Sequence, residues 1–398
     1  MPQYRIKMVN KIAQEGIALF GSDYSVRADE KDPEGILVRS SPVDTDDYRS
    51  LLAVARAGAG VDTITVEKAT AKGICVFNTP GANANAVAEL VFVMLGISIR
   101  NIHRAIDFCH DLAGLSDAEV IEQVESKKAA FRGFELAGKT LGVLGIGKIG
   151  VRVANGGIHR QMRVIGFDPF PTLENIHNLS PEVSLARSWK EVVAQVHVLT
   201  LHMPFNEKLR SFINADVLNR LPKGAILVNH ARGPLVDQAA VLAALDSGRL
   251  ASYVTDFPTA AMLDNPKIIV SPHLGASTEE SEEQSATMAV QELKDYIEYG
   301  AVTHSVNFPT AESFPSDDVH TRLIMINRDV PGMIGFASQK IGAHGINISS
   351  YLNESNGSVG YNIIDLESSI PESVVQEISA HNNVIRTRTI VFAHKKSA

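Results

Sequence analysis

The sequence predicts an α/β protein with two doubly wound parallel-sheet domains and a smaller C-terminal βαββαβ domain. Three observations predict this fold class. Over about the first 300 residues, short apolar strand-like runs alternate with longer helical patterns, which is typical of parallel sheets covered by helices. After Gly300, a stretch rich in Ser, Thr, Pro and Asp interrupts the pattern. From about residue 319 a strand, helix, strand, strand, helix, strand order follows.

The predicted strands are apolar almost throughout, as expected for strands that helices cover on both faces. They are GILVRS (35–40), GICVF (73–77), TLGVLGIG (140–147), RVIGFD (163–168), HVLTLH (197–202), AILVN (225–229) and KIIVSPH (267–273). Helical patterns are predicted at 85–110 and 208–220. A longer amphipathic helix is predicted over Glu279–Tyr299, where Ser277 and Glu280 have the spacing of a capping box.

The composition of the chain argues against several classes of protein. The 398 residues include 37 Lys and Arg against 45 Asp and Glu, a formal charge of −8, whereas proteins that bind nucleic acids or anionic membranes carry a basic excess. No apolar run reaches the ~18 residues of a membrane span, and the first residues lack the apolar core of a signal peptide. Cys75 and Cys109 are the only cysteines in the sequence, which excludes a disulfide framework and a Cys-rich zinc site. We therefore expect a cytoplasmic protein without a metal site.

A glycine motif follows the strand predicted at 140–147. Gly145, Gly147 and Gly150 have GxGxxG spacing, with a helical pattern after them. In such a motif the first glycine permits a tight turn, the second lets the backbone approach a pyrophosphate, and the third lets helix and strand pack closely. Asp168 ends the next strand, where its carboxylate would accept hydrogen bonds from the adenosine ribose and repel a 2′-phosphate. The motif predicts a Rossmann-like domain that binds NAD.

Several further segments resemble the D-2-hydroxyacid dehydrogenase family. They are VNHARGPLVD (228–237), YVTDFP (253–258), SPHLGAST (271–278), RAGAGVD (56–62) and FNTPGANANAVAE (77–89). With the glycine motif they extend the resemblance over nearly the whole chain. The resemblance implies NAD-dependent oxidation of a small phosphorylated 2-hydroxy acid, 3-phosphoglycerate, to 3-phosphohydroxypyruvate, the entry to L-serine biosynthesis.

The resemblance also implies roles for individual side chains. His273 would be the acid/base for the hydroxyl proton, and Arg232 would hold the substrate carboxylate and the C2 oxygen through paired hydrogen bonds. Asp256 would engage the nicotinamide carboxamide. The family places a Glu beside the catalytic imidazole, and that position falls at Ala261 in this sequence, with Asp264 as the nearest acid. Without that Glu the imidazolium loses a stabilising neighbour, so we expect catalysis to be weakened.

Two sets of binding residues complete the predicted site. The cofactor-binding residues are Gly145, Gly147, Lys148, Ile149, Gly150, Asp168, His202, His230, Ala231, Arg232, Asp256, His273, Gly275 and Ala276. Loops after parallel strands point toward the binding cleft, so substrate and phosphate recognition is expected from the first domain. The candidates are Arg39, Ser40, Arg56, Gly58, Ala59, Gly60 and Asn83.

The C-terminal βαββαβ pattern is ferredoxin-like and resembles an ACT domain, a module that commonly binds amino acids. INRDVPGMIG (326–335) is similar to its ligand loop, in which a helix N-terminus can receive a carboxylate. Asn327, Asp329 and Asn347 take the positions of the effector-binding side chains, although only Asn347 has the residue type that the resemblance implies. We expect L-serine as an effector, and the alternative is that the module only holds subunits together.

The expected organisation is a discontinuous substrate-binding domain, an NAD-binding domain and an ACT-like regulatory domain. Their predicted ranges are 1–88 with 277–310, then 89–276, and after a linker at 311–317 the last domain at 318–398. By the resemblance, we expect a homodimer or homotetramer. Two alternatives stay open. One is a dehydrogenase or reductase for another D-2-hydroxy acid, such as glycerate or glyoxylate/hydroxypyruvate. The other is a catalytically decayed protein that senses NAD and an amino acid, which Ala261 would favour.

Overall fold

The computed structural model describes residues 3–61 and 63–392. Contacts divide the chain into two units. The first consists of the segment up to Ala82 together with the segment from Glu279 onward, and the second is Asn83–Thr278. Two sheets are parallel throughout and the third is antiparallel. The predicted fold class, two parallel-sheet α/β domains with a C-terminal βαββαβ sheet, is confirmed.

The strands and helices are as follows in chain order. The strands are β1 (Tyr4–Met8), β2 (Tyr24–Arg27), β3 (Gly35–Val38), β4 (Ala53–Arg56), β5 (Cys75–Phe77), β6 (Thr140–Leu144), β7 (Arg163–Phe167), β8 (Ser184–Leu185), β9 (Val198–Leu201), β10 (Ala225–Asn229), β11 (Leu250–Thr255), β12 (Ile268–Val270), β13 (Thr321–Arg328), β14 (Ile348–Ser355), β15 (Val359–Leu366) and β16 (Val384–Val391). The helices are α1 (Gln14–Ile17), α2 (Val66–Ala71), α3 (Ala84–Ile99), α4 (Ile102–His110), α5 (Asp117–Lys127), α6 (Lys148–His159), α7 (Leu173–His177), α8 (Trp189–Val193), α9 (Ala215–Arg220), α10 (Gln238–Asp246), α11 (Glu279–Tyr299), α12 (Met333–Ala343) and α13 (Glu372–Ser379).

The helix predicted over 85–110 is broken into α3 and α4. Asn101 adopts a left-handed conformation with φ of 50° between them, and its side-chain amide donates to the carbonyl oxygen of Arg132 at 3.3 Å. The N–H of Phe134 donates to the carbonyl of Ile99 at the end of α3. A segment about 30 residues further along the chain therefore holds this break, and no proline marks it in the sequence between Ala84 and His110.

The first unit contains a five-stranded parallel sheet in the order β2-β1-β3-β4-β5. Strands β3 and β4 are adjacent, and Val38 at the end of β3 pairs with Arg56 at the end of β4. Helix α11 packs on this sheet through Ala289, Leu293 and other buried residues in the same apolar cluster. The register therefore brings the loops that follow β3 and β4 to one edge of the sheet.

The first unit also contains the four-stranded antiparallel sheet, in the order β14-β15-β13-β16. One face is covered by α12 and α13, with Leu323 and Met325 in the shared core. The opposite face, including Ile324 and Tyr361, belongs to the same apolar cluster as the five-stranded sheet and α11. Although the sequence predicts a separate module here, both faces of its sheet are buried.

The sheet also holds the C-terminal end of α11. The last carbonyl groups of a helix have no partner within the helix, and here they accept hydrogen bonds from side chains of the four-stranded sheet. The donor and acceptor residues are Arg388 with Tyr296 and Ile297, Arg322 with Tyr299, and Tyr361 with Gly300, at 2.6–3.0 Å. Arg322 is fully buried and also pairs with Asp365 at 2.6 Å.

The stretch from residue 301 to 311 is packed rather than solvated, although its composition is that of a linker. Val302 and Ala311 are buried and form an antiparallel bridge, and Ser305 bridges to Phe77 of β5. Its apolar residues therefore contribute to the core of the first unit, and only its polar residues give it the composition of a loop.

The second unit is a seven-stranded parallel sheet in the order β12-β11-β10-β9-β6-β7-β8. Strand β6 lies inside the sheet, and the chain proceeds from it to β7 on one side and later to β9 on the other.

Within the described residues no single helix is long and apolar enough to span a membrane, although α3 and α4, bent by 63° at their break, together have the length and composition of a broken span.

Candidate active site

The strand order of the second unit places a binding edge at the carboxyl end of β6. Leu144, the last residue of β6, pairs with Phe167 on one side and with Leu201 on the other. Gly145, Asp168 and His202 directly follow these three residues and therefore lie at the same edge of the sheet. Ligands of doubly wound sheets bind where the strand order reverses in this way.

The three glycines of the motif differ in what surrounds them. Gly145 has φ of +95°, and a Cβ there would lie 2.5 Å from the carbonyl oxygen of His202. A Cβ on Gly150 would lie 1.9 Å from the carbonyl oxygen of Gly145. Gly147 is the N-cap of α6 with φ of −81°, and no heavy atom lies within 4 Å of the Cβ it would carry. Two glycines thus permit close packing, whereas the third leaves open space at the helix N-terminus.

That open space suits a phosphate group. Lys148 and Ile149 begin α6, and the N–H groups of a first helical turn have no partner within the helix. Asp168 lies beside the loop, where its Oδ2 accepts from the N–H of Ile146 and its Oδ1 from the N–H of Phe170, both at 2.8 Å. These bonds fix the carboxylate and leave lone pairs for ribose hydroxyl groups.

The turn after β10 is organised by Asn229, which is fully buried. Its side-chain oxygen accepts from the N–H of Ala231 at 3.1 Å, and its amide nitrogen donates to the carbonyl of Arg232 at 3.0 Å. Thr255 donates to the carbonyl of Asn229 at 2.9 Å. Arg232 is half-buried and donates to the carbonyl of Ala231. Asn229 was not among the predicted site residues, although it opens the N-x-A-R-G segment whose turn it holds.

The ends of β9, β10 and β11 carry buried polar atoms that lack hydrogen-bond partners. Both carboxylate oxygens of Asp256 and both ring nitrogens of His230 are in this state, as is Nδ1 of His202. Nδ1 of His230 lies 3.4 Å from Oδ1 of Asp256, and both side chains are essentially inaccessible. Desolvation, together with the nearby His230, lowers the pKa of His202 to about 3, so its imidazole is neutral.

These unpartnered atoms fit a nicotinamide carboxamide, which offers two N–H donors and one carbonyl acceptor. A buried polar group without a partner costs free energy, typically about 1–3 kcal/mol, and a ligand that supplies the missing donors removes that cost. Gly275 is buried against the same carboxylate, since a Cβ there would lie 3.6 Å from Oδ2 of Asp256. Ala276 follows it and is half-buried. The open glycine loop, Asp168 and Asp256 together fit a dinucleotide.

His273 and Asp256 line one pocket of about 710 Å³, together with Phe257 and Met262. His273 follows β12 and is exposed, and its ring packs on that of Phe257 with centroids 4.8 Å apart. A solvent-accessible imidazole at the wall of a pocket can exchange a proton with a bound ligand.

The position that the resemblance assigns to the family Glu lies in a short 3₁₀ turn, Ala260–Met262. Ala261 is exposed there, and so is Asp264 beyond the turn. Among the described residues, no carboxylate forms an ion pair or a hydrogen bond with His273. In the same part of the chain, no group of three or more His, Cys, Asp or Glu side chains is arranged to hold a metal ion.

The first unit brings the two predicted phosphate-binding arginines together. Oδ1 of Asn10 accepts from the N–H groups of Arg39 and Ser40, at 3.0 and 3.1 Å. Nε of Arg56 donates to the carbonyl of Arg39 at 2.9 Å. The guanidinium of Arg39 pairs with Glu282 at 2.7 Å. The two cations therefore share one edge of the sheet, and Arg39 is paired there with a carboxylate.

The remaining substrate candidates lie in two places. The carbonyl of Gly58 accepts from the N–H of Thr79, and that of Ala59 accepts from the amide of Asn78 at 2.5 Å. Gly60 follows and is half-buried. Asn83 belongs to the second unit, where it is the N-cap residue of α3 and its side-chain oxygen is buried without a hydrogen-bond partner.

Each predicted effector residue of the four-stranded sheet is hydrogen-bonded within the fold. Asn327 is buried, accepts from the amide of Asn362 and donates to the carbonyl of Arg328, both at 2.7 Å. Asp329 accepts from the hydroxyl of Ser355 at 2.6 Å, and Asn347 donates to Glu367 at 2.8 Å. An effector that contacts these side chains would have to replace such bonds.

Comparisons with known proteins find relatives in sequence and in fold. Residues 102–275 match the model of the D-isomer specific 2-hydroxyacid dehydrogenase, NAD binding domain. The chain is 32% identical over 326 residues to the D-3-phosphoglycerate dehydrogenase of Bacillus subtilis (strain 168), covering 77% of this chain and 59% of that protein. It is 29% identical over 351 residues to the D-3-phosphoglycerate dehydrogenase of Haemophilus influenzae, covering 85% and 81%.

A solved structure, the NAD+-bound 3-phosphoglycerate dehydrogenase of Entamoeba histolytica, superposes with a TM-score of 0.61 at 25% identity, covering 77% of this chain and 99% of that chain. The chain spans little more than half the length of several curated relatives, 59% for the B. subtilis protein and 57% for that of Methanocaldococcus jannaschii. Residues 102–275 therefore carry the NAD-binding domain of the D-2-hydroxyacid dehydrogenase family, and over most of its length the chain is similar to D-3-phosphoglycerate dehydrogenases.

Proposed function

We propose that this protein is an NAD-dependent dehydrogenase that oxidises 3-phosphoglycerate to 3-phosphohydroxypyruvate in L-serine biosynthesis. The observation that carries the proposal is the pocket that His273 shares with Asp256. It joins an accessible acid/base to a buried carboxylate with the unmet hydrogen bonds that a nicotinamide carboxamide would satisfy. The similarity to proteins named D-3-phosphoglycerate dehydrogenase supports this choice of substrate.

The proposed mechanism assigns one task to each side chain. Arg232 holds the substrate carboxylate and the C2 oxygen through its planar guanidinium. His273 removes the proton of the C2 hydroxyl, and in the reverse direction returns it to the carbonyl oxygen. When bound, NAD supplies the acceptor for the hydride that leaves C2. Asn229 acts as a positioning residue, because its side chain holds the turn from which Arg232 projects.

A second candidate is a dehydrogenase or reductase for a 2-hydroxy acid without a phosphate, such as glycerate or glyoxylate/hydroxypyruvate. The ion pair between Arg39 and Glu282 favours it, because the carboxylate already neutralises one of the two predicted phosphate ligands. A decayed protein that senses NAD and an amino acid is the third candidate, and the exposed Ala261 in place of a carboxylate is its support.

Assembly and regulation are part of the proposal. Helix α4 has no buried residue and exposes Ile102 and Ile106 one turn apart, and α5 exposes Ile121. Apolar helix faces of this kind mark contacts with another chain, so we propose a homodimer through the second unit, extended to a homotetramer by the ACT-like sheet. L-serine is the proposed effector. Cys75 and Cys109 are free, which supports a reducing, cytoplasmic location.

The proposal is tested by the NADH-dependent reduction of 3-phosphohydroxypyruvate between pH 5.5 and 9. We expect turnover by the protein and a loss of about 100-fold or more in the His273→Gln variant, since acid–base catalysis contributes about 10²–10⁴-fold. His177→Gln is the matched control, because His177 ends α7 and is not among the site residues. NADH binding measured by fluorescence should be the same in the protein and in His177→Gln, and it should fall far less than turnover in His273→Gln, because His273 is only one of many predicted cofactor contacts. Inactivity with intact NADH binding would replace the phosphoglycerate proposal with the sensing candidate.

A further inference from the structure

An ion pair in the first unit bears on the choice of substrate. Nη2 of Arg39 lies 2.7 Å from Oε1 of Glu282, and the two side chains are 35% and 41% exposed. The pair is therefore partly shielded from water but still open to a ligand. Arg39 follows β3, whereas Glu282 comes from the first turn of α11, so two distant parts of the sequence form this contact.

The position of Arg39 is fixed from its own backbone. Asn10 accepts from its N–H at 3.0 Å, and Arg56 donates to its carbonyl at 2.9 Å. With the backbone held on both sides, the guanidinium can change partners only by rotation of its side chain. Any anion that binds Arg39 at this edge of the sheet therefore meets Glu282 as a competitor.

Glu282 also lies at the end of α11 that attracts negative charge. Glu279, Glu280 and Glu282 all lie in the first turn of α11, where the positive end of the helix dipole stabilises negative charge. A phosphate monoester carries a charge of about −1.5 to −2 at neutral pH. To pair with Arg39 it has to displace Glu282 or remain beside it and be repelled. A neutral hydroxymethyl group in the same place neither has to displace Glu282 nor is repelled by it.

We propose that Glu282 determines substrate specificity, by occupying Arg39 and so disfavouring 2-hydroxy acids with a phosphate tail relative to those with a neutral tail. The proposal rests on the proposed function, because it takes Arg39 as a residue that meets the substrate tail. It concerns only the end of the substrate that carries the phosphate or the hydroxyl group, and the proposed reaction at C2 is the same for both classes of substrate. Glu282 would thus disfavour phosphorylated substrates by repulsion, and repulsive contacts of this kind are a common source of specificity.

The test compares two substrates that differ only in the phosphate, 3-phosphohydroxypyruvate and hydroxypyruvate. Glu282→Gln keeps the size and polarity of the side chain and removes its charge. We expect the ratio of kcat/KM for the phosphorylated to the neutral substrate to rise about tenfold. Glu279→Gln is the matched control, since it removes the same charge from an exposed position in the same helical turn. We expect it to change the ratio less than about twofold, the scale of a screened surface charge.

A second comparison asks whether the effect passes through Arg39. In the background of Arg39→Met, the change Glu282→Gln should raise the substrate ratio much less, because the cation for which carboxylate and phosphate compete is gone and only the repulsion between the two anions remains. Raising the ionic strength should narrow the difference between the protein and Glu282→Gln, since salt screens partly exposed charges. A rise in the ratio that is undiminished without Arg39, or an equal rise in Glu279→Gln, overturns the proposal.

Direct binding separates this proposal from the proposed function. The affinity for 3-phosphoglycerate, measured by calorimetry in the absence of turnover, should rise about tenfold in Glu282→Gln, and the affinity for glycerate should not change. If no variant turns over either substrate, the dehydrogenase proposal fails while the binding result still decides the role of Glu282. Equal affinities of the protein and the variant for 3-phosphoglycerate refute that role.

Discussion

The three glycines of the dinucleotide loop predict different consequences for the same substitution. Gly147→Ala adds a methyl group where no heavy atom lies within 4 Å, at a φ of −81° that alanine adopts freely. Gly150→Ala adds it 1.9 Å from the carbonyl oxygen of Gly145, which is backbone and cannot rotate away. The first change should leave the fold intact, and the second should force the start of α6 away from β6.

The expected magnitudes follow from these distances. Gly147→Ala should change the free energy of unfolding by less than about 0.5 kcal/mol, the usual scale of an unstrained surface change. Its methyl group stands where a pyrophosphate would approach, so the affinity for NAD should fall by about 10- to 100-fold, equivalent to about 1.4–2.8 kcal/mol. Gly150→Ala should destabilise the second unit by about 1–3 kcal/mol through overpacking and weaken NAD binding as well.

Calorimetric unfolding and the quenching of protein fluorescence by NADH measure the two quantities independently. Arg152→Ala, a change on the next turn of α6, is the control for the helix. If Gly147→Ala binds NADH as the protein does, the phosphates do not rest on this turn and the assigned role of the glycine motif is wrong. If Gly147→Ala instead unfolds at a clearly lower temperature, the steric reasoning fails.

Three further outcomes follow from other parts of the structure. Ala261→Glu should raise kcat for 3-phosphohydroxypyruvate about tenfold or more by supplying the missing carboxylate, and steady-state rates that stay unchanged would show that this turn does not reach His273. Arg322→Met should lower the free energy of unfolding by about 3–5 kcal/mol, because Asp365 is left buried without its partner. The double variant Arg322→Met/Asp365→Leu should regain most of this free energy when unfolding is measured by calorimetry. An equal loss in the single and the double variant would contradict this explanation. Burial, with a contribution from Asp295, raises the pKa of Glu292, whose Oε1 lies 2.7 Å from Nδ1 of His304. The folded state therefore holds this proton more tightly than the unfolded chain, so stability should fall as the pH rises above about 5, by at most about 1.4 kcal/mol per pH unit. Denaturant titrations of Glu292→Gln should lack this dependence, and a parallel fall in both proteins would argue against Glu292 as its source.

The parts of the fold that could be predicted are those determined by local pattern. Apolar runs bounded by glycine and polar residues predicted strands such as Ala225–Asn229, and the amphipathic helix over Glu279–Tyr299 forms with those limits. The break between α3 and α4 could not be predicted, since a segment around Phe134 holds it from a distance. The burial of the second face of the C-terminal sheet could not be predicted either. An apolar strand has the same sequence pattern whether one or both faces of its sheet are covered.

The candidate site shows the same division. Motif spacing identified the glycine loop and Asp168, whose neighbours in the sheet follow from strand order alone. The ion pair between Arg39 and Glu282 joins residues more than 240 positions apart, so no local pattern could indicate it. Asn229 could not be predicted for another reason: its side chain acts through hydrogen bonds to its own turn and to Tyr253, and the sequence does not show such bonds.

The hydrogen bonds that the four-stranded sheet makes to the last turn of α11 bear on how this protein can be engineered. A C-terminal domain joined by a flexible linker can be deleted on its own, or replaced by the same domain of a relative. Here, removal of the chain beyond residue 318 would strip the donors from the helix carbonyls and uncover the apolar surface around Phe77 and Tyr296. A truncated protein would therefore aggregate rather than behave as an unregulated enzyme. A chimera therefore has to exchange α11 and the four-stranded sheet together, from the same parent protein.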